Sequence, residues 1–249
     1  MSEKPVALVT GSGKRRVGRT IADALADRGY RLALHYRTSA TEAEQAVVAY
    51  RARGVEAAAF PADLGDETQV RALVERTMDA YGRIDVLVNA AAIWERKPLE
   101  QVRAADVRAH FDANALGTFL TCQHAGLVMV RQPAGGCIVN LGDWAEVRPY
   151  RDYAAYFPSK GAVTALTRAF AVELAARNPN VRVNAVLPGP VMLPPDLPDA
   201  ERRAAIAATL VKREGTPQHV ALAVLALIDN DFITGVALPV DGGRTLYGA

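Results

Sequence analysis

Cysteine is scarce: Cys122 and Cys137 are the only two in 249 residues, and both lie in apolar surroundings. So few thiols exclude a disulfide-framed scaffold, and the pair reads as buried structural thiols of a reducing compartment. Long apolar runs are missing as well, and no stretch approaches the length of a membrane span. An excess of one charge is absent: the formal net charge is +2, with no basic run and no interleaving of basic and aromatic residues. Nothing therefore points to nucleic acid as a partner. No metal is expected. No linker, internal repeat or low-complexity tract breaks the chain. Met1-Ser-Glu-Lys-Pro runs directly into an apolar strand without a signal-peptide pattern, so a cytoplasmic location is expected.

What is present is a globular composition, 50% apolar and 22% charged. Short β-rich runs alternate with longer helical patterns from end to end. The strand candidates are Val6–Thr10, Arg31–Tyr36, Val55–Pro61, Ile84–Asn89, Cys137–Leu141, Val181–Leu187 and Val236–Val240. This alternation predicts a single Rossmann-type domain over residues 1–249, a doubly wound, parallel, seven-stranded sheet with helices on both faces. Ser39-Ala-Thr-Glu42 reads as a capping box opening a helix. Glu67–Tyr81 carries Val70, Leu73, Val74 and Met78 on one face and stops at Gly82. Residues 187–200 hold prolines at 188, 190, 194, 195 and 198, which predicts a loop. Its place after a late strand makes it either a lid over a ligand site or a stiff surface connector.

The first strand runs into Thr10-Gly11-Ser12-Gly13-Lys14-Arg15-Arg16-Val17-Gly18 at the opening of a helix. Glycines there let the backbone approach a pyrophosphate, to which the helix N-terminus offers free amides and a positive dipole. The second strand exits through His35-Tyr36-Arg37-Thr38-Ser39, without the acidic residue that would accept from the ribose 2′-hydroxyl of NAD. Arg37, with Ser39 and His35, suits a 2′-phosphate instead, as does the Lys14-Arg15-Arg16 run. The expected cofactor is NADPH/NADP+. Farther on, Tyr156 and Lys160 stand one helical turn apart and share a face. An ammonium beside a phenol favours phenolate and is expected to lower the tyrosine pKa toward working pH, making Tyr156 a proton donor to a developing anion.

Together these motifs resemble the short-chain dehydrogenase/reductase family over nearly the whole chain. The resemblance implies that Asp63-Leu64 contacts adenine and that Asn89-Ala90-Ala91-Ala92 is the segment the family writes Asn-Asn-Ala-Gly. Asn114 would be the helix asparagine of a proton relay. Pro188-Gly189 with Val191 would follow strand six against the cofactor, though the threonine the family often carries there is missing. Thr234-Gly235 and Val240-Asp241-Gly242-Gly243 match the family's last strand. The cofactor set so implied is Gly11, Gly13, Arg15, Arg16, Val17, Gly18, His35, Arg37, Ser39, Asp63, Leu64, Asn89, Ala90, Ala91, Tyr156, Lys160, Pro188, Gly189 and Val191. One residue is inserted in the first turn, which leaves open whether Arg15 or Arg16 meets the cofactor.

Asp143 stands thirteen positions before Tyr156, where the family usually has serine. An aspartate there is similar to the pteridine reductase branch, as are the first turn, the His35–Ser39 segment and an aromatic residue, Trp94, past the Asn89 segment. The catalytic group implied is Asp143, Tyr156, Lys160 and Asn114, with Trp94, Asp143 and Tyr156 on the substrate. An indole suits stacking on a flat ring, and equally suits packing beneath a loop. A carboxyl can pass a proton to a ring nitrogen, whereas serine suits a ketone. The leading expectation is NADPH-dependent reduction of a dihydropterin C=N bond. The alternatives are a carbonyl reductase, for example on 3-oxoacyl thioesters, and an idle NADPH-sensing protein. Pro158 near the helix start either perturbs its first turn or sits where proline is tolerated. The family also implies a homotetramer, with an interface over Asp106–Val130 and Ala154–Arg177.

Overall fold

Every second residue of a strand faces the same side of its sheet, and here both sides are apolar. In β1 (Val6–Val9), Ala7 and Val9 enter one core while Val6 and Leu8 enter the other. The computed structural model describes residues 4–246. The strands that follow are β2 (Arg31–Tyr36), β3 (Ala57–Pro61), β4 (Val86–Asn89), β5 (Gly136–Leu141), β6 (Val181–Pro188) and β7 (Ala237–Val240). They form one parallel seven-stranded sheet in the order β3-β2-β1-β4-β5-β6-β7. The predicted architecture is the observed one, with strand ends displaced by a residue or two.

The helices α1 (Val17–Asp27), α2 (Ala40–Ala52) and α8 (Pro217–Asp229) cover one face through Ile21, Leu25, Tyr50 and Val224. On the other face, α3 (Glu67–Tyr81), α5 (Gly117–Arg131) and α6 (Phe157–Ala175) bury Leu73, Met129 and Leu174. Helix α3 has the predicted bounds. Asp66 caps it by accepting from the amides of Thr68 and Gln69, and Gly82 ends it at φ +74°. The capping box expected at Ser39 is absent: Ser39 precedes α2 but makes no side-chain cap. Its hydroxyl is turned toward Gly13 instead, where a β-carbon would collide with it.

Helix α4 (Ala104–His110) passes into a wider π turn, Phe111–Leu116, and then into α5. The predicted loop is shorter than expected, because α7 (Asp199–Ala207) begins directly after Pro198. Proline at the second position of α6 is accommodated in the first turn, where no amide partner is lost. Both cysteines are buried and free. Among the described residues, no helix is long and apolar enough to cross a membrane.

Candidate active site

Strand order reverses between β1 and β4, so the chain departs in opposite directions there and leaves a crevice at the carboxyl ends. A cavity of about 1120 Å³ occupies that crevice. Its first wall is the turn after β1. Gly11 has φ +65°, and a β-carbon on it would stand 2.7 Å from Ala91 Cα, so only glycine closes this junction. Thr10 Oγ1 joins the two strand ends by accepting from the amides of Ala90 (2.9 Å) and Ala91 (3.1 Å). Arg16, Val17 and Gly18 open onto the cavity. Arg16 precedes α1 without a side-chain cap, and no acidic residue sits in the first turn. This is an uncapped, electropositive helix end suited to an anion.

The structure sorts the expected cofactor residues. Gly11, Arg16, Val17, Gly18, His35 and Arg37 line the cavity, as do Asp63, Leu64, Ala90 and Ala91. Pro188, Gly189 and Val191 line it from the loop after β6, with Tyr156 and Lys160 beyond. Four expected residues do not. Arg15 lies off the cavity wall, whereas Arg16 lines it. Gly13 and Ser39 are buried against each other. Asn89 points beneath the strand ends, accepting from Thr121 Oγ1 (2.8 Å) and donating to Asn140 Oδ1 (2.9 Å).

His35 lines the cavity but carries no charge to it. The Gly11 amide donates to Nδ1 at 3.1 Å, which places the ring proton on Nε2, donating to Ala62 O at 3.0 Å. Burial holds its pKa down at about 4. His35 is thus a neutral clamp on the glycine turn, and Arg16 and Arg37 are left as the cations there.

At the other end, Asp143 follows β5 and Tyr156 precedes α6. Tyr156 Oη donates to Asp143 Oδ2 at 2.8 Å, and the Ala145 amide donates to Asp143 Oδ1 at 2.8 Å. Lys160 Nζ donates to Leu141 O at 2.6 Å. Burial pushes the Asp143 carboxyl up, despite its hydrogen bonds and Lys160. Burial brings Lys160 down to about 8, against the pull of Asp143 and Glu146. Tyr156 contradicts expectation. Burial first, then the charge of Asp143 and the hydrogen bond to it, hold Tyr156 well above its ordinary value. The carboxylate at its hydroxyl outweighs the lysine, and the group stands as a phenol.

Asn114 does not reach the cavity. It lies in the π turn, where Oδ1 accepts from Ile93 N (2.8 Å) and Nδ2 donates to Ile93 O (3.0 Å) and Ser159 Oγ (3.0 Å). Ser159 Oγ donates onward to Tyr156 O at 2.6 Å. Asn114 therefore ties the segment after β4 to the start of α6. Trp94 lines the cavity, 42% exposed, with one face covered by Tyr153 at 4.9 Å and 13° between planes.

Sequence reasoning missed Trp144, Tyr150, Tyr153 and Arg244, which also line the cavity, and Glu146, which accepts from Thr164 Oγ1 at 2.7 Å. Aromatic density around Asp143 was the available signal for the first three. Arg244 had none, because it arrives from the segment after β7.

Comparison with known proteins agrees with this architecture. A family profile described as enoyl-(acyl carrier protein) reductase, of the short-chain dehydrogenase/reductase type, matches residues 12–245. A Synechocystis 3-oxoacyl-(acyl carrier protein) reductase is 34% identical over 97% of this chain and 97% of its own. The human 3-oxoacyl-(acyl carrier protein) reductase is 35% identical over 94% of this chain and 95% of its own. The crystal structure of acetoin dehydrogenase from Enterobacter cloacae superposes with a TM-score of 0.88 at 32% identity, covering 100% of this chain and 98% of that one. The chain belongs to the short-chain dehydrogenase/reductase family and is an oxidoreductase. Nothing in these relatives singles out the pteridine reductase branch.

Proposed function

We propose that this short-chain dehydrogenase/reductase is an NADP(H)-dependent carbonyl reductase in which Tyr156, held as a phenol by Asp143, donates its proton to the substrate oxygen. The pair at 2.8 Å, facing the same cavity as the Gly11–Gly18 turn, carries this reading. The relatives' names favour a carbonyl over a pterin. The uncapped end of α1 would hold the cofactor pyrophosphate, and Arg16 and Arg37 a 2′-phosphate. When bound, a nicotinamide cofactor supplies the hydride. The chain's own residues manage the proton. Tyr156 is kept protonated and gives its proton to the oxygen as negative charge develops there. Lys160 compensates the charge left on the phenol. Asp143 stands where the family usually has serine and accepts from Tyr156 Oη, keeping the proton on the phenol until the substrate oxygen takes it.

The test is NADPH oxidation with acetoacetyl-coenzyme A and with dihydrobiopterin across pH. Ketone turnover is expected, falling as pH rises through about 8 and the Lys160 ammonium is lost. Turnover of dihydrobiopterin alone would transfer support to C=N reduction, a second reading favoured by the carboxyl at Tyr156 and the Trp94–Tyr153 stack. NADPH binding without turnover of either substrate would favour the idle sensor.

The chain is also proposed to act as a homotetramer. Phe111, Phe119, Leu127 and Val172 lie exposed on the π turn, α5 and α6, within the expected interface segments.

A further inference from the structure

Arg244 is a cation that makes no salt bridge among the described residues. It follows β7, and its guanidinium lies over the Trp144 ring, 4.7 Å from the centroid, on the cavity wall. One nitrogen donates to Ala205 O at 3.0 Å, which anchors the side chain to α7. Asp241, three positions earlier, is engaged in the turn, accepting from Gly243 N (2.9 Å) and Thr245 N (2.7 Å). Arg148 brings more positive charge, donating to Arg244 O at 3.2 Å. Partial burial first, then Arg148, lower the Arg244 pKa, against a weaker upward pull from Tyr150 and Asp241. Arg96, on the same wall, is by contrast neutralised by Asp152 at 3.1 Å.

A partly desolvated guanidinium costs free energy unless an anion meets it. Its planar fork suits a carboxylate, and its place over Trp144 on the cavity wall fixes where that anion would sit. Trp144 stacks with Tyr150, which meets Tyr153 edge-on, and Tyr153 in turn stacks on Trp94, so a run of aromatic rings lines the cavity. We propose that Arg244 is a specificity-determining residue that binds a carboxylate on the substrate itself, so that the enzyme selects compact aromatic oxo acids over neutral ketones. This deepens the carbonyl-reductase reading and rests on it.

The chain has two tryptophans, Trp94 and Trp144, and both line this cavity, so intrinsic fluorescence reports its occupancy. Protein saturated with NADP+ is titrated with para-acetylbenzoate and with its neutral counterpart para-acetylbenzamide. The acid is expected to bind about tenfold or more tightly than the amide, a preference that weakens with salt. Arg244→Gln should remove the preference, read as the ratio of acid to amide affinity within that variant. Arg244→Lys, which keeps the charge, should retain part of it. Equal binding of acid and amide by the parent protein overturns the proposal, as does absence of saturable quenching by the acid. A preference that survives in Arg244→Gln, or is lost equally in both variants, also overturns it. Turnover is read separately with NADPH: an acid preference in binding without reduction of the ketone would leave the anion site standing and count against the carbonyl-reductase reading.

Discussion

At the scale of single residues the site is governed by which proton sits where. Tyr156 holds its proton because burial and the adjacent Asp143 both oppose phenolate. Tyr156→Phe should lower turnover by roughly 10²- to 10⁴-fold, the range of general acid catalysis, while NADPH still binds with unchanged affinity in a fluorescence titration. Lys160 gives a second test with a definite sign. Its folded value of about 8 lies below the ordinary 10.5, so between those values the folded chain binds fewer protons than the unfolded chain. The stability contribution therefore grows as pH rises through that window, by about 3 kcal/mol in full. Activity should move the other way, because the ammonium is lost. Urea unfolding of the parent and of Lys160→Met at pH 7.5 and about 10 checks this; the variant should lack the rise. The Tyr-x-x-x-Lys spacing was legible in sequence because one helical turn fixes it. The protonation of Tyr156 was not, since Asp143 reaches it from another element.

At the scale of elements, local signals were read well where the partners are local. Helix α3 begins at an aspartate that caps its own first turn, and Asp66→Ala should cost about 1 kcal/mol in chemical unfolding. Ser39 was misread because its hydroxyl turns to a distant glycine turn. The π turn at Asn114 was also hidden, as its side chain is held by Ile93 and Ser159 rather than by helical neighbours. The junction of β1 and β2 makes a pH prediction. His35 titrates at about 4 in the fold against an ordinary 6.5, so the folded chain binds fewer protons between these values. Its stabilising contribution is present above 6.5 and lost as pH falls toward 4, amounting to about 2 kcal/mol by pH 5. Urea unfolding of the parent and His35→Asn at pH 7 and pH 5 measures it: the difference between them should shrink by that amount on acidification. An unchanged difference would rule out the clamp.

At the scale of the whole molecule, charge and apolar surface make the remaining predictions. Among the described residues Arg16, before α1, and Arg37, after β2, make no salt bridge, and both line the cavity. NADPH should raise the melting temperature more than NADH at equal concentration, and Arg37→Glu should reverse that order in a thermal shift assay. Light scattering should give a tetramer mass, and Phe119→Glu together with Val172→Glu should dissociate it.

The sequence by itself determined the wound sheet, because apolar period-two strands and period-3.6 helices declare themselves within a few residues. It likewise determined the glycine turn and the Tyr156–Lys160 pair, whose spacings are short. Tertiary structure alone decided that Arg16 rather than Arg15 reaches the cavity, that Tyr156 is a phenol, and that Arg244 comes to rest on Trp144. Each depends on groups far apart in the chain, and burial and electrostatic coupling between them exist only once the strands have brought their ends together.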